Sequence, residues 1–332
     1  FQGWNTLKTN QTVEERPLTL KGVVYKNGLG THSYGEIWYK LSDDFLNLPD
    51  IDATGRTAAK ELAWNHIDIK TIWLPEDLSR KGDGKGGVGK STVTANLAMA
   101  LKKAGAKVGI LDADISGPSI PVMFGAEDMQ PLVQEVNGKN RIQPINQYGI
   151  KLISMGFLAP TESPVPWRGP MMTQALRQFF GDTNWEELDY LLIDLPPGTS
   201  DIHLTLVQLI KLTGAVIVTT PQKVALSDAT KGLQFFKQNG INVPILGLVE
   251  NMAYFTPAEL PDNKYYLFGK DGGKELATKY KVPFLGEVPL VQGIREAGDA
   301  GKPIAAEEGP TADAFGQIAA NLAQQIAINN AQ

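Results

Sequence analysis

One short segment constrains the fold of this 332-residue chain more than any other: Gly84-Lys85-Gly86-Gly87-Val88-Gly89-Lys90-Ser91-Thr92. It matches G-x-x-x-x-G-K-[ST], the Walker A pattern, whose glycines let backbone N–H groups turn toward phosphates. Lys90 is placed to reach the β- and γ-phosphates, and the Ser91 hydroxyl to ligate Mg²⁺. Apolar residues at positions 93, 97, 100 and 101 then share one helical face, so the loop opens a helix as the motif requires. We therefore predict a nucleotide's phosphates and Mg²⁺ as ligands, because a chance glycine-rich turn need not be followed by such a helix.

Short apolar runs alternate with amphipathic stretches through the rest of the chain. The runs at 108–112, 190–194, 215–219 and 245–249 lack polar alternation, as strands covered on both faces should. Residues 201–212 and 224–239 have helical patterns, and the C-terminal stretch places one apolar face on a helix: Phe315, Ile318, Ala319, Leu322 and Ile326. The pattern predicts an α/β fold, a doubly wound and mostly parallel P-loop NTPase sheet, over residues 81–332.

Acidic residues follow two of the predicted strands. Asp194 ends one, while Asp112 and Asp114 follow another. Ligands of α/β folds bind at the carboxyl edge of the sheet, where an acid can orient a metal-bound water or the attacking water. A turn or helix cap is the alternative for any one of them. Beside a Walker A loop, we predict Ser91, Asp112 and Asp194 as metal ligands and Asp114 and Asp194, with Lys90, as catalytic groups.

Residues 1–80 have a different character. They are richer in Trp, Tyr, Asn and Thr, and 18–22 and 36–40 are typical of antiparallel strands, so we predict a small β-rich segment that ends near residue 80. A Walker A loop normally follows its strand within a few residues. The only upstream candidate is 67–74, and residues 75–83, with Pro75 and several charges, intervene. The first strand of the α/β sheet is therefore predicted to be missing.

Composition excludes several classes of function. The net charge of −5 gives no basic surplus for nucleic acid, and no apolar run approaches the roughly 20 residues that span a bilayer. The N-terminal residues show no basic region followed by an apolar one, so we expect a cytoplasmic protein. The chain has no cysteine, which excludes thiolate ligands, and His32, His66 and His203 lack metal-ligand spacing.

Lys85 directly follows the first glycine of the loop, where a Walker A motif needs no charge. In this respect the loop resembles the deviant Walker A of MinD/ParA-like ATPases, whose signature lysine reaches the nucleotide of a partner subunit. The resemblance narrows to the Mrp/ApbC/Nbp-type iron–sulfur cluster carrier ATPases over about residues 84–328. The segments that carry it are 111–119, 167–170, 194–201, 249–252, 268–273 and 282–290.

The resemblance implies a role for each matching residue. It assigns Lys85 to the partner subunit's phosphates, Lys90 and Ser91 to the same chain's phosphates and Mg²⁺, Asp114 to the attacking water, Asp194 to the switch II acid, and Asn251 to adenine. It also implies ATP as the nucleotide, a homodimer that sandwiches it, slow hydrolysis that depends on dimerisation, and iron–sulfur assembly or acceptor proteins as partners. A cation supplied across a dimer stabilises phosphoryl charge as an arginine finger does.

The iron–sulfur cluster that the resemblance implies meets a departure from the family pattern. Members commonly carry a Cys-x-x-Cys pair just before the Phe-Gly motif, but residues 254–261 read Tyr-Phe-Thr-Pro-Ala-Glu-Leu-Pro. Iron–sulfur centres need thiolate or occasionally imidazole ligands. Cluster carriage through the chain's own thiolates is thus not expected. A MinD/ParA-like nucleotide switch that acts through partners without a cluster is the alternative.

A second resemblance covers about residues 3–45, which are similar to part of an NPCBM-type carbohydrate-binding module. Such modules are β-sandwiches, and Trp4 or Trp38 could stack on a sugar or pack in a small core. Sugar is therefore a possible ligand of this segment, and a carbohydrate-binding module fused to an inert α/β domain is a further alternative. Residues 80–84 would form the junction between the two unlike pieces.

Overall fold

A computed structural model describes residues 23–26, 36–39, 70–74, 87–114, 117–136, 138–158, 169–196, 201–257, 259–260 and 263–331. The strands within these ranges are β1 (Val23–Lys26), β2 (Glu36–Tyr39), β3 (Lys70–Leu74), β4 (Val108–Asp112), β5 (Leu132–Val136), β6 (Lys139–Gln143), β7 (Ile145–Gln147), β8 (Ile150–Ser154), β9 (Tyr190–Asp194), β10 (Gly214–Thr219), β11 (Ile245–Glu250) and β12 (Phe284–Glu287). The α-helices are α1 (Lys90–Lys103), α2 (Ile120–Met123), α3 (Gly169–Gly181), α4 (Asp201–Leu209), α5 (Lys223–Phe236), α6 (Gly272–Tyr280), α7 (Gln292–Asp299) and α8 (Pro310–Asn330).

The central feature is an eight-stranded sheet in the order β12-β11-β10-β3-β9-β4-β8-β7. Its neighbouring strands are parallel except for the antiparallel pair β7 and β8. Adjacent strand residues contribute to two separate apolar cores: Ile110 packs on the side of α1 and α8, and Leu111 on the side of α3 to α6. Helices thus cover both faces, which confirms the predicted doubly wound α/β fold.

The predicted strands agree closely with this sheet. Two of them match β4 and β9, while β10 and β11 each extend one residue beyond the prediction. The five-residue face predicted for the C-terminal helix is buried on α8. Helix α1 differs, because it is buried from Val93 to Leu101 rather than along one face. It lies between the sheet and α8, so both sides of the helix are covered.

The prediction that the first strand is missing was wrong. β3 lies in the centre of the sheet, parallel to β10 on one side and β9 on the other. Its last residue, Leu74, is in register with Asp194, so the strand ends at the carboxyl edge of the sheet. Pro75 and the charged residues after it lie outside the described residues. The sheet therefore takes a central strand from the first 80 residues, although the domain division itself stays a prediction.

Two further strands are described near the N-terminus. β1 and β2 pair antiparallel, with Val23 opposite Tyr39. β2 corresponds to the strand predicted at 36–40, whereas the one predicted at 18–22 lies outside the described residues. No helix in the described part of the chain is long and apolar enough to cross a membrane.

Candidate functional site

The phosphate loop leads into the amino end of α1. Gly84, Lys85 and Gly86 lie outside the described residues, so the structure shows the loop from Gly87 onward. Gly89 caps the helix in the left-handed region, with φ of 76°. Helix N-termini present unpaired N–H groups and a favourable dipole to an anion. Lys90 is buried and Ser91 and Thr92 are half-buried, which places the predicted phosphate and metal contacts on the first turn of α1.

Space around the loop is uneven. A Cβ added at Gly87 would meet no described atom within 4 Å, whereas one at Gly89 would clash with Nδ2 of Asn251. Of the described residues, none crowds Gly87, whereas Asn251 packs closely against Gly89.

Asn251 packs against this loop. Its side-chain amide donates a hydrogen bond of 2.7 Å to the carbonyl oxygen of Val88, and its backbone N–H donates to Thr219 O, also at 2.7 Å. The residue is buried. The contact that the structure shows for the side chain is thus with the loop backbone, while its predicted contact with adenine stays a prediction.

Asp194 is also brought to the first turns of α1. Thr94 is one helical turn beyond Lys90, and its hydroxyl lies 3.3 Å from Asp194 Oδ1. Asp112 and Asp194 are register partners at the ends of β4 and β9, and Ala113 N donates to Asp194 O at 2.7 Å. The strand order therefore gathers the loop, the helix and two predicted metal ligands at one edge of the sheet.

Asp112 is fully buried in a network of donors. Its Oδ2 accepts from Ser154 Oγ at 2.9 Å and from Ile120 N at 3.3 Å, and its Oδ1 accepts from Asp114 N at 3.1 Å. Burial raises the pKa of Asp112 well above its ordinary value, the charge of Asp194 raises it further, and the Ser154 hydrogen bond lowers it. Two neighbouring buried carboxylates favour a cation beside them. Asp112 and Asp194 thus form the kind of carboxylate pair that Mg²⁺ takes when phosphate oxygens supply further ligands.

Asp114, predicted to position the attacking water, is buried beside this pair. Its Oδ1 accepts from Gly117 N at 3.2 Å, and residues 115–116 lie outside the described range. Asp112 accepts hydrogen bonds from both sides of the loop, through Asp114 N and Ile120 N. The loop that carries Asp114 is therefore folded around the Asp112 carboxylate.

The sequence analysis did not identify Thr94 or Ser154 as site residues, although a local sequence pattern points to each of them. Thr94 lies four residues after Lys90 and so shares its helical face. Ser154 is a polar residue at the end of an apolar run, where it reaches the same edge of the sheet as Asp112.

The last residue of β11 is a further buried acid. Glu250 accepts a hydrogen bond from Gly273 N at the start of α6, and burial raises the pKa of its carboxyl group. Tyr254 begins the stretch in which the sequence resemblance leads one to expect a cysteine pair, and its ring lies under Lys264, whose Nζ is 3.8 Å from the ring centroid. Among the described residues no group of three or more His, Cys, Asp or Glu side chains could hold a metal ion.

Comparisons with known proteins identify the family. A family model described as NUBPL iron-transfer P-loop NTPase matches residues 82–323, and an NPCBM/NEW2 domain model matches residues 1–48. Both resemblances predicted from the sequence are thereby confirmed.

Similar proteins include carriers from distant organisms. An iron-sulfur cluster carrier protein of Synechocystis is 51% identical over 260 residues, which are 78% of this chain and 72% of that protein. The iron-sulfur cluster transfer protein NUBPL of Dictyostelium discoideum is 45% identical over 74% of this chain and 75% of its own length. A nucleotide-binding protein of Archaeoglobus fulgidus, solved in complex with ADP, is 38% identical with a TM-score of 0.61, covering 80% of this chain and 96% of its own.

Proposed function

Since this chain belongs to the NUBPL iron-transfer P-loop NTPase family, we propose that it binds and hydrolyses ATP with Mg²⁺ in the assembly or transfer of iron–sulfur clusters. One observation carries the proposal: Thr94, on the helix that follows the loop, lies 3.3 Å from the carboxylate of Asp194, which is the register partner of Asp112 at the ends of adjacent strands. The relatives named as cluster carriers and the ADP complex of the Archaeoglobus protein support the two halves of the proposal.

The residues on α1 bind the phosphates. Backbone N–H groups of the loop and the Lys90 ammonium balance the charge of the β- and γ-phosphates. Ser91 and Asp194, with Asp112, would hold Mg²⁺, which when bound neutralises charge on the phosphate oxygens. The Thr94 hydroxyl lies 3.1 Å from Lys90 O and 3.3 Å from Asp194 Oδ1, so it links the Asp194 carboxylate to the first turns of the helix.

Hydrolysis requires a positioned water and a stabilised leaving phosphate. Asp114 accepts a proton from the water while the water oxygen attacks the γ-phosphorus. The bond between the γ-phosphorus and the oxygen that leaves with ADP breaks. Lys85, supplied by the partner subunit of a homodimer, stabilises the charge on the transferring phosphoryl group. Turnover is slow for the isolated chain because the site is complete only in the dimer.

The cluster is cargo, and its ligands must come from elsewhere. These 332 residues contain no cysteine, and iron–sulfur centres need soft ligands. We infer that thiolates of an assembly or acceptor protein hold the cluster, while nucleotide turnover in this chain drives association and release.

Ligand-induced stabilisation tests the nucleotide half of the proposal. Mg²⁺·ATP should raise the melting temperature of the chain, since a ligand that binds only the folded state stabilises it. Lys90→Ala should abolish that rise and phosphate release. A melting temperature that Mg²⁺·ATP does not change, or a Lys90→Ala variant with the same rise in melting temperature and the same phosphate release as the wild type, would refute the nucleotide site.

An anaerobic experiment tests the cluster half. The chain is added with Mg²⁺·ATP to a cluster-loaded assembly protein and an apo acceptor, and acceptor loading is followed by absorbance. Faster loading of the acceptor with the wild-type chain, but not with the Lys90→Ala variant, supports a role in cluster transfer. The absence of cysteine favours a second candidate function, a MinD/ParA-like nucleotide switch that handles no cluster. ATP turnover without any effect on acceptor loading would support this second candidate.

The N-terminal segment has a separate candidate function. The NPCBM/NEW2 match over residues 1–48 favours sugar binding by this segment. Retention of the chain on immobilised polysaccharide, released by soluble sugar and unaffected by Lys90→Ala, would support it. Passage through such a column without delay would refute it.

A further inference from the structure

The backbone around Asn251 is fixed on both sides. Asn251 N donates to Thr219 O at the end of β10, at 2.7 Å. On the other side, Val288 N donates to Glu250 O at 2.9 Å and Ala253 N donates to Val288 O at 3.0 Å. The turn that carries Asn251 is therefore hydrogen-bonded at the ends of both neighbouring strands, so the backbone from which the Asn251 side chain extends is fixed.

From that fixed backbone the side chain reaches the phosphate loop. Its amide nitrogen donates to Val88 O at 2.7 Å, across 163 positions of the chain, and Asn251 is only 4% exposed. The same nitrogen would clash with a Cβ placed on Gly89, and Met252 Cε would lie 3.7 Å from that Cβ. Asn251 thus fills the space beside Gly89, whose φ of +76° already favours glycine.

We propose that Asn251 is a positioning residue of the phosphate loop, which acts through the peptide between Val88 and Gly89. A peptide unit is planar and trans, so its C=O and N–H point in opposite directions. When Asn251 holds the Val88 carbonyl, the Gly89 N–H is turned away from Asn251 and is left for a phosphate. The inference rests on the proposed function and deepens it.

This role predicts a result that an adenine contact does not. A positioning residue affects the loop backbone that binds the phosphates. Its loss should therefore weaken the binding of ATP, GTP and inorganic tripolyphosphate by the same factor. An adenine contact would leave tripolyphosphate unaffected and would change the preference for ATP over GTP. The three ligands therefore separate the two roles without a structure of the complex.

The experiment measures the affinity of the full chain for each ligand by calorimetry with Mg²⁺ present. Asn251→Ala leaves a buried carbonyl without its donor, so we expect all three dissociation constants to rise about tenfold. Asn251→Asp keeps the volume but replaces the donor with a carboxylate oxygen, and it should weaken binding at least as much. It also carries the test if the alanine variant does not fold.

Asn321→Ala is the matched control. Asn321 Nδ2 donates to Leu285 O at 2.8 Å, the same kind of bond between α8 and β12. We expect it to lower the melting temperature without changing any of the three affinities. Unchanged tripolyphosphate affinity in both Asn251 variants, or loss of ATP affinity alone, would overturn the inference. A wild-type chain that binds neither ATP nor tripolyphosphate would instead refute the proposed function.

Discussion

Ser154→Ala probes the buried carboxylate pair through a single hydroxyl. Ser154 is buried, donates to Asp112 Oδ2 at 2.9 Å and accepts from Gly156 N at 3.0 Å. The first bond stabilises the charged form of Asp112 and lowers its pKa, against burial and the charge of Asp194, which raise it. Removing the hydroxyl should therefore raise the pKa of Asp112 further.

The magnitude is set by the charge dependence of hydrogen bonds. A bond to an ionised group contributes about 1.5–3 kcal/mol, and one between neutral groups about 0.5–1.5 kcal/mol. The variant should therefore lose about 1 kcal/mol more free energy of unfolding when Asp112 is ionised than when it is protonated, which corresponds to roughly one pKa unit. Loss of the bond from Gly156 N adds a part that does not depend on pH.

The sign of the pH dependence is fixed by proton binding. The raised pKa means that folded Asp112 binds its proton more tightly than in the unfolded chain, where the value is about 3.9. Between these two values the folded state holds more protons, so this group's contribution to stability falls as pH rises and is lowest above the folded pKa. In Ser154→Ala the fall should be larger and should extend to higher pH.

Urea unfolding without nucleotide, repeated across pH, measures the effect. Thr183→Val serves as a control because it removes a buried hydroxyl outside this network. Asp112→Asn removes the titrating group, so adding Ser154→Ala to it should have an effect independent of pH. Equal destabilisation of Ser154→Ala at both ends of the pH range, or a pH dependence that persists in the Asp112→Asn background, would refute the reasoning.

Three further predictions concern other parts of the molecule. Lys85→Ala should leave ATP affinity largely intact but lower phosphate release, and equal loss of both would contradict a role across the dimer. Asn96→Ala removes the acceptor of Ala305 N, a buried bond of 2.9 Å, and should lower the free energy of unfolding by about 1–3 kcal/mol in urea titrations. Glu250→Gln keeps an acceptor for Gly273 N without the charge; because burial raises the pKa of Glu250, its contribution to stability falls with rising pH, and the variant should lose that fall in the same titrations.

The sequence by itself determined the local parts of the site. The Walker A pattern identified the loop and α1, and unbroken apolar runs located β4 and β9 with Asp112 and Asp194 at their ends. These features depend on residue types within one turn or one strand, and that is where periodicity and glycine placement act. For the same reason, five of the six buried residues of α8 were predictable, and only Ala312 was missed.

Only the tertiary structure decided how these parts meet. The proline and charges directly after β3 argue against a central strand, yet its place is fixed by pairing with β9 and β10, more than a hundred positions away. The contacts of Ser154 with Asp112 and of Asn251 with Val88 likewise depend on which strands are neighbours. Strand order determines which distant residues lie at the same edge of the sheet. A local pattern of apolar and polar residues does not specify that order.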